Sequence, residues 1–264
     1  ICAGVGFALG AAAFAALKEE AQRLNARLFG HRFLFGSVAV GGGEPGRTRG
    51  RMTGELAADA LGTLAEISVG LDTAWHAVAF NASVQDRMRG TGVITRKVAV
   101  RHGAVGPAAR ASGVANDVRV TPSRLAYDGF VPATVERADG DVAARAAVRR
   151  TELSAGIELM RRLLRGLPAA AAHRSPTPGP GRDVGPTEGS TAQGTGFAVA
   201  RVEGPRGETV CCVEARDGRI HRLHLRTASY ANWPLVAQAA EGNLVGEFPL
   251  INKSFELCYA CVDR

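Results

Sequence analysis

Apolar residues recur at helical spacing through the first two thirds of this chain. After a proline-rich break they alternate as in strands. One helix is predicted from about Phe7 to Phe29 and stops at Gly30, a common C-terminal residue. A second runs from about Glu55 to Arg87, with Thr53 placed to cap it and Leu56, Ala60, Leu64, Ile67 and Leu71 on one stripe. The third starts near Asp141, carries Leu153, Ile157, Met160 and Leu164 at helical steps, and ends at Gly166 and Pro168. His76 and Trp75 on the second helix read as packing residues. Gly41-Gly42-Gly43, followed by Arg47, Arg49 and Arg51, lacks the lysine of a phosphate loop and reads as a connection between helices. Between the second and third helices, Gly90 to Asp139 is punctuated by Gly and Pro and predicts irregular loops with short strands.

Ala169 to Gly196 changes character: Pro176, Pro178, Pro180 and Pro186 stand among Gly, Ser and Thr. Too little apolar surface is present to order such a segment, which reads as a flexible excursion. Beyond it Phe197–Val202, Glu208–Ala215 and Arg219–Arg226 predict strands, with Asp217-Gly218 as a hairpin turn. Cys211 and Cys212 fall mid-strand as small hydrophobes, and His221 and His224 as surface or rim residues. Asn232 is placed to cap a short helix beginning Trp233-Pro234. The expected fold is α+β and mainly helical. A helical body occupies 1–168, the excursion 169–196, and a β-hairpin element, short helix and C-terminal metal loop 197–264.

Composition narrows the partners. The net charge of +7 comes from arginine, the lysines being only Lys18, Lys97 and Lys253. These arginines are scattered without an aromatic-interleaved stripe, which argues against nucleic acid. Five cysteines without a paired framework point to a reducing compartment. Ile1 to Leu17 is uncharged but at the short edge of what spans a bilayer, and reads as a buried helix. It lacks the basic start and cleavage pattern of a signal peptide.

The residues with most chemistry are Cys258-Tyr259-Ala260-Cys261. Two thiols three positions apart can face one soft metal ion from a single turn, since nickel, iron and zinc favour thiolate. A redox dithiol and half of a structural zinc site are the other readings of that spacing.

Neighbouring residues add a resemblance. Leu250 to Arg264 resembles the C-terminal motif of nickel-iron hydrogenase large subunits, closest to the membrane-associated group 4 enzymes. These include formate hydrogenlyase and are related to the large core subunit of respiratory complex I, the NADH-quinone oxidoreductase. Further stretches agree in the same order. Gly106-Pro107, Arg110-Ala111-Ser112-Gly113 and Asp117-Val118-Arg119 are similar to the family's GPxxRASG…DxR segment. Gly140-Asp141 with Arg145, Arg149 and Glu152 resembles its GD…R…VR…E helix start. Glu203-Gly204-Pro205-Arg206-Gly207-Glu208 resembles its ExPRGE turn. Near the start, Arg23-Leu24-Asn25 and Gly30-His31-Arg32-Phe33-Leu34-Phe35-Gly36 also fit.

The resemblance implies reversible dihydrogen heterolysis at a Ni-Fe centre, nickel held by four thiolates and bridged to an iron carrying carbonyl and cyanide. By motif position Cys258 would be a terminal nickel ligand and Cys261 a bridging one. Arg206 would lie over the open face as a permanent cation, with Glu256 in the place of an aspartate that bonds it or relays protons. Implied partners are a small subunit with a 4Fe-4S cluster, other Fe-S proteins, membrane subunits of a complex I-like assembly and a maturation endoprotease cutting after Arg264. The implied location is the cytoplasmic face of the inner membrane.

Two departures qualify the match. The family's first metal motif, RxCGxC, is absent from these residues, so the chain reads as a fragment or truncated product with half of the ligand set. Glu256-Leu257 stands where hydrogenases usually carry Asp-Pro, which loosens the expected loop geometry. Two other readings therefore stay open: a quinone-binding electron-transfer scaffold like the complex I subunit, which lacks both cysteines, and a non-catalytic remnant that binds partner subunits.

Overall fold

The computed structural model describes residues 1–35, 37, 53–120, 138–166 and 195–262. Among these, helices occupy α1 (Ala8–Phe29), α2 (Gly54–Ala79), α3 (Ala82–Met88), α4 (Arg96–Arg101), α5 (Gly106–Ala111) and α6 (Val142–Arg165). Strands β1 (Gly196–Gly204), β2 (Gly207–Arg216) and β3 (Arg219–Arg226) follow, then α7 (Ala228–Ala240) and α8 (Phe248–Phe255), with 3-10 turns at Val118–Val120 and Val245–Glu247. The chain divides into two compact units. One comprises Ile1–Ala11, Ala77–Ala155 and Ala192–Arg264, the other Ala12–His76 and Gly156–Thr191. The Gly41–Gly43 connection and nearly all of the 169–196 segment lie outside the described residues.

In the second unit the predicted stripe of α2 closes on its neighbours. Ala60, Leu64 and Leu71 are buried with Leu24 and Leu28 of α1 and Ile157 of α6. Each buried aliphatic side chain contributes roughly 1.5–3 kcal/mol. Leu153 and Met160, predicted on the same stripe of α6, are exposed. His76 is exposed on α2 and donates from Nδ1 to the Asp72 carbonyl at 2.9 Å, so it is not a packing residue.

Three boundaries differ from those predicted. The long second helix stops at Ala79 because Asn81 adopts extended φ/ψ and accepts from the Val84 N–H, starting α3 afresh. Between Gly90 and Asp139 the described residues hold α4 and α5 and no strand. Thr95 caps α4 from its side chain, and Pro107 sits in the first turn of α5, where a missing N–H costs nothing. α7 begins at Ala228 under a Thr227 cap, not at Asn232, and carries Pro234 inside it. Burial of Ala228, Ala231, Leu235, Val236 and Ala239 outweighs the lost helical bond, which costs about 3 kcal/mol. The Ile1–Leu17 stretch is also less buried than expected. Its helix starts at Ala8 and most of its alanines are exposed. Among the described residues no helix is long and apolar enough to cross a membrane.

In the first unit α4, α5, α7 and α8 share a core of Ile94, Ala99, Ala108, Ala109, Leu235, Ala239, Ile251 and Phe255. Alanines at the contacts let the short helices approach closely, and α7 and α8, which flank the cysteine loop, both belong to this core. The strands form an antiparallel sheet of order β1-β2-β3. Its β2–β3 turn is the predicted Asp217-Gly218, both residues at positive φ as a two-residue hairpin requires.

Candidate functional site

α8 ends at Glu256, which takes left-handed φ 55° and ψ 34°, and the chain turns there into the cysteine loop. The first turn of α7 holds that loop. Ser229 Oγ accepts from the Cys258 N–H at 3.1 Å. Thr227 Oγ1 donates to the Cys261 carbonyl at 3.2 Å, and Trp233 Nε1 to the Cys258 carbonyl at 3.5 Å. The Tyr259 ring lies against Trp233 with centroids 5.0 Å apart, and its hydroxyl accepts from Asn252 at 2.8 Å.

The two thiols face each other across the turn. A hydrogen bond from Cys261, together with backbone N–H groups and the nearby charge of Arg206, lowers the pKa of Cys258 below its ordinary value. The same hydrogen bond, burial and the negative charge on Cys258 raise that of Cys261. Both residues are half-buried.

Arg206 reaches this loop from the β1–β2 turn, 50 residues away in sequence, and its Nε donates to the Glu256 carbonyl. The resemblance implied a contact with the Glu256 carboxylate. That group instead lies 3.7 Å from Nε of Arg149 on α6, whose Nη2 also donates to the Phe255 carbonyl at 3.0 Å. Burial lowers the Arg149 pKa, opposed by Glu256 and Glu152. One turn earlier Arg145 is fully buried. It donates to Ser254 Oγ at 2.8 Å and the Gly140 carbonyl at 2.7 Å, and stacks on Phe255 at 4.2 Å. Burial pulls it down to about 9, which leaves it charged at neutral pH.

Two contacts aim the arginine turn. Gly106 and Gly207 meet backbone to backbone: a Cβ on Gly106 would lie 2.3 Å from the Arg206 carbonyl oxygen and 2.4 Å from Gly207 Cα. Asn232, buried in α7, accepts from the Val105 N–H at 3.1 Å and donates to the Val105 carbonyl at 3.0 Å. Before the turn, Glu203 is locked by Arg110 at 3.0 Å and by the Val118 N–H at 3.2 Å. Arg110 is the hub of a buried cluster. It also binds Glu152 at 2.6 Å and Asp117 at 3.2 Å, with side chains 4 % (Arg110), 3 % (Asp117) and 2 % (Glu203) exposed.

Arg206, Glu256, Cys258 and Cys261 therefore converge on one loop. Sequence reasoning missed Arg149 as a partner of Glu256, Thr227, Ser229 and Trp233 as supports of the loop, and Asn232 as a support of the arginine turn. Thr227 carried a signal as a helix cap, and Arg149 stood in the family-like helix start without a partner assigned. Among the described residues no three or more His, Cys, Asp or Glu side chains converge to hold a metal.

A mainly helical body with a small antiparallel three-stranded sheet is the architecture of the large subunits of complex I and related membrane-bound complexes. The chain belongs to the family described as the 49 kDa subunit of respiratory-chain NADH dehydrogenase, matched over residues 5–264. It is 34 % identical over 185 residues to the carbon monoxide-induced hydrogenase of Rhodospirillum rubrum, covering 70 % of this chain and 48 % of that one. It is 30 % identical over 268 aligned positions to formate hydrogenlyase subunit 5 of Escherichia coli, covering all of this chain and 43 % of that one. The fold matches a chain of an archaeal membrane-bound sulfane sulfur reductase with TM-score 0.79 at 24 % identity, over all of this chain and 69 % of the other. The chain spans about half the length of the curated relatives it matches.

Proposed function

We propose that this chain is the C-terminal part of the catalytic large subunit of a membrane-associated nickel-iron hydrogenase of the formate hydrogenlyase type. The observation that carries the reading is the half-buried Cys258–Cys261 pair on one turn, with Arg206 held to the Glu256 carbonyl at the start of that turn. Two thiols on one turn suit two corners of a thiolate-rich centre, and the other two thiolates would come from residues outside this sequence. When bound, such a centre supplies heterolytic cleavage and formation of dihydrogen. Cys258 Sγ is the site where negative charge rests and a proton can be taken up. Arg206 stabilises that charge without itself exchanging protons, and its bond to the Glu256 carbonyl holds it at the turn that carries the thiols. Ser229, Thr227 and Trp233 fix the loop so that neither sulfur rotates away.

In this reading the subunit pairs with a small subunit carrying a 4Fe-4S cluster and sits with membrane subunits on the cytoplasmic face. A maturation endoprotease trims its tail. The family description favours a second reading, a scaffold that lines a quinone cavity as in complex I. One experiment separates them. The complex containing the full-length subunit is purified and its nickel measured by mass spectrometry, beside Cys258→Ala and Cys261→Ala. Nickel in the parent complex that is lost in both variants, with assembly intact, supports the hydrogenase. A parent complex free of nickel, reducing quinone instead, would overturn it.

A further inference from the structure

We propose that the outer edge of β3 is a docking edge for an acidic strand of a partner polypeptide, one that alternates carboxylate and apolar residues. The inference is independent of any metal at the cysteine loop.

Among the described residues no strand pairs with that edge. Every residue from Arg219 to Leu225 is exposed, Ile220 at 70 % and Leu223 at 58 %. β3 reads Arg-Ile-His-Arg-Leu-His-Leu-Arg, with no acid in it. The register sorts these residues by face. Arg222 opposite Glu214 and His224 opposite Cys212 share one face, while Leu223 opposite Val213 and Leu225 opposite Cys211 share the other. Ala200 pairs with Cys211 and Val202 with Thr209, so the apolar face continues onto β1, where Val202 is also exposed. β1 differs at its C-terminal end, where Glu203 is tied to the Val118 turn.

Basic side chains on an edge strand deter self-association, which accounts for the arginines by themselves. It does not account for exposed leucine and isoleucine between them, which a purely protective edge would replace. A second copy of this chain fits badly, because antiparallel pairing of β3 with itself about its centre sets Arg219 against Arg226 and His221 against His224 with no carboxylate to offset them. An anionic lipid surface can neutralise the arginines but offers no ladder of N–H and C=O groups. A strand with carboxylates on one face and aliphatics on the other satisfies the backbone edge, the basic face and the apolar face together.

The probe is a synthetic peptide of about nine residues alternating glutamate and valine, the span of one strand. Its binding to the full chain is followed by fluorescence anisotropy, and amide hydrogen exchange locates it. Slowed exchange at 219–226, with binding weakened about tenfold in Arg219→Gln/Arg222→Gln, supports the proposal. Both substitutions are at exposed positions, and unchanged circular dichroism verifies the fold. Three outcomes overturn it. One is equal binding of a peptide with the same residues in two blocks, which means polyanion attraction alone. Another is tighter binding to vesicles containing phosphatidylglycerol than to the peptide. The third is no slowing of exchange at β3.

Discussion

Substituting Gly106 by alanine perturbs the contact that aims Arg206, and the structure sets its size. Gly106 has φ +65°, and a Cβ there would meet the Arg206 carbonyl oxygen at 2.3 Å and Gly207 Cα at 2.4 Å. Carbon atoms pack at about 3.5–4.0 Å, so the two backbones must separate by roughly 1 Å. Left-handed backbone costs an alanine about 1–2 kcal/mol, and a forced core shift about 1–3 kcal/mol more. Gly242 is the internal control, since it has φ +76° with nothing within 4 Å of its would-be Cβ. Gly242→Ala should then lose only the first term. In urea denaturation the midpoint of Gly106→Ala should fall below that of Gly242→Ala by roughly 0.5–1 M, for an m-value of about 2–3 kcal/mol/M. Equal midpoints would refute the reasoning, showing that the α5–turn approach is not a packed contact.

Three further outcomes are expected. Arg110→Met leaves the Asp117, Glu203 and Glu152 carboxylates without their shared cation and should cost about 3–5 kcal/mol in the same assay, whereas a loss under about 1 kcal/mol would show the cluster to be solvated. Burial opposes the charge on Asp117, but the Arg119 hydrogen bonds and the Arg110 charge prevail and lower its pKa from 3.8. Its stabilisation is therefore full above that value and lost as pH falls through the folded one, so Asp117→Asn should flatten the stability profile below about pH 4, and an unaltered acid limb would contradict this. On the hydrogenase function proposed above, Arg206→Lys in the full-length complex should cut hydrogen oxidation at least roughly tenfold with nickel retained, because lysine lacks the planar fork; unchanged turnover would remove Arg206 from that mechanism.

Much of the local structure is written in short windows of sequence. The Leu56–Leu71 stripe, the Asp217-Gly218 turn and the three β-rich runs each depend on residues within a few positions of one another, where backbone propensity and periodicity act. The cysteine spacing and the ExPRGE turn were legible for the same reason. Asn81 and Thr227 lay within reach too, as caps, but a continuous apolar stripe and the Trp233-Pro234 pair masked them. Pro234 shows where local rules yield: burial of one face of α7 outweighed a residue that ends helices in isolation. What the sequence by itself determined was therefore the parts and the chemistry each can carry.

Their assembly was decided only in three dimensions. That Arg206 takes the Glu256 carbonyl, and Arg149 its carboxylate, follows from the Gly106–Gly207 contact, the Asn232 bonds to Val105 and the left-handed turn at Glu256. Each joins segments tens of residues apart except the last, which local propensity disfavours. Such contacts depend on how helices pack against a common core, a sum over many weak interactions that no window of sequence contains.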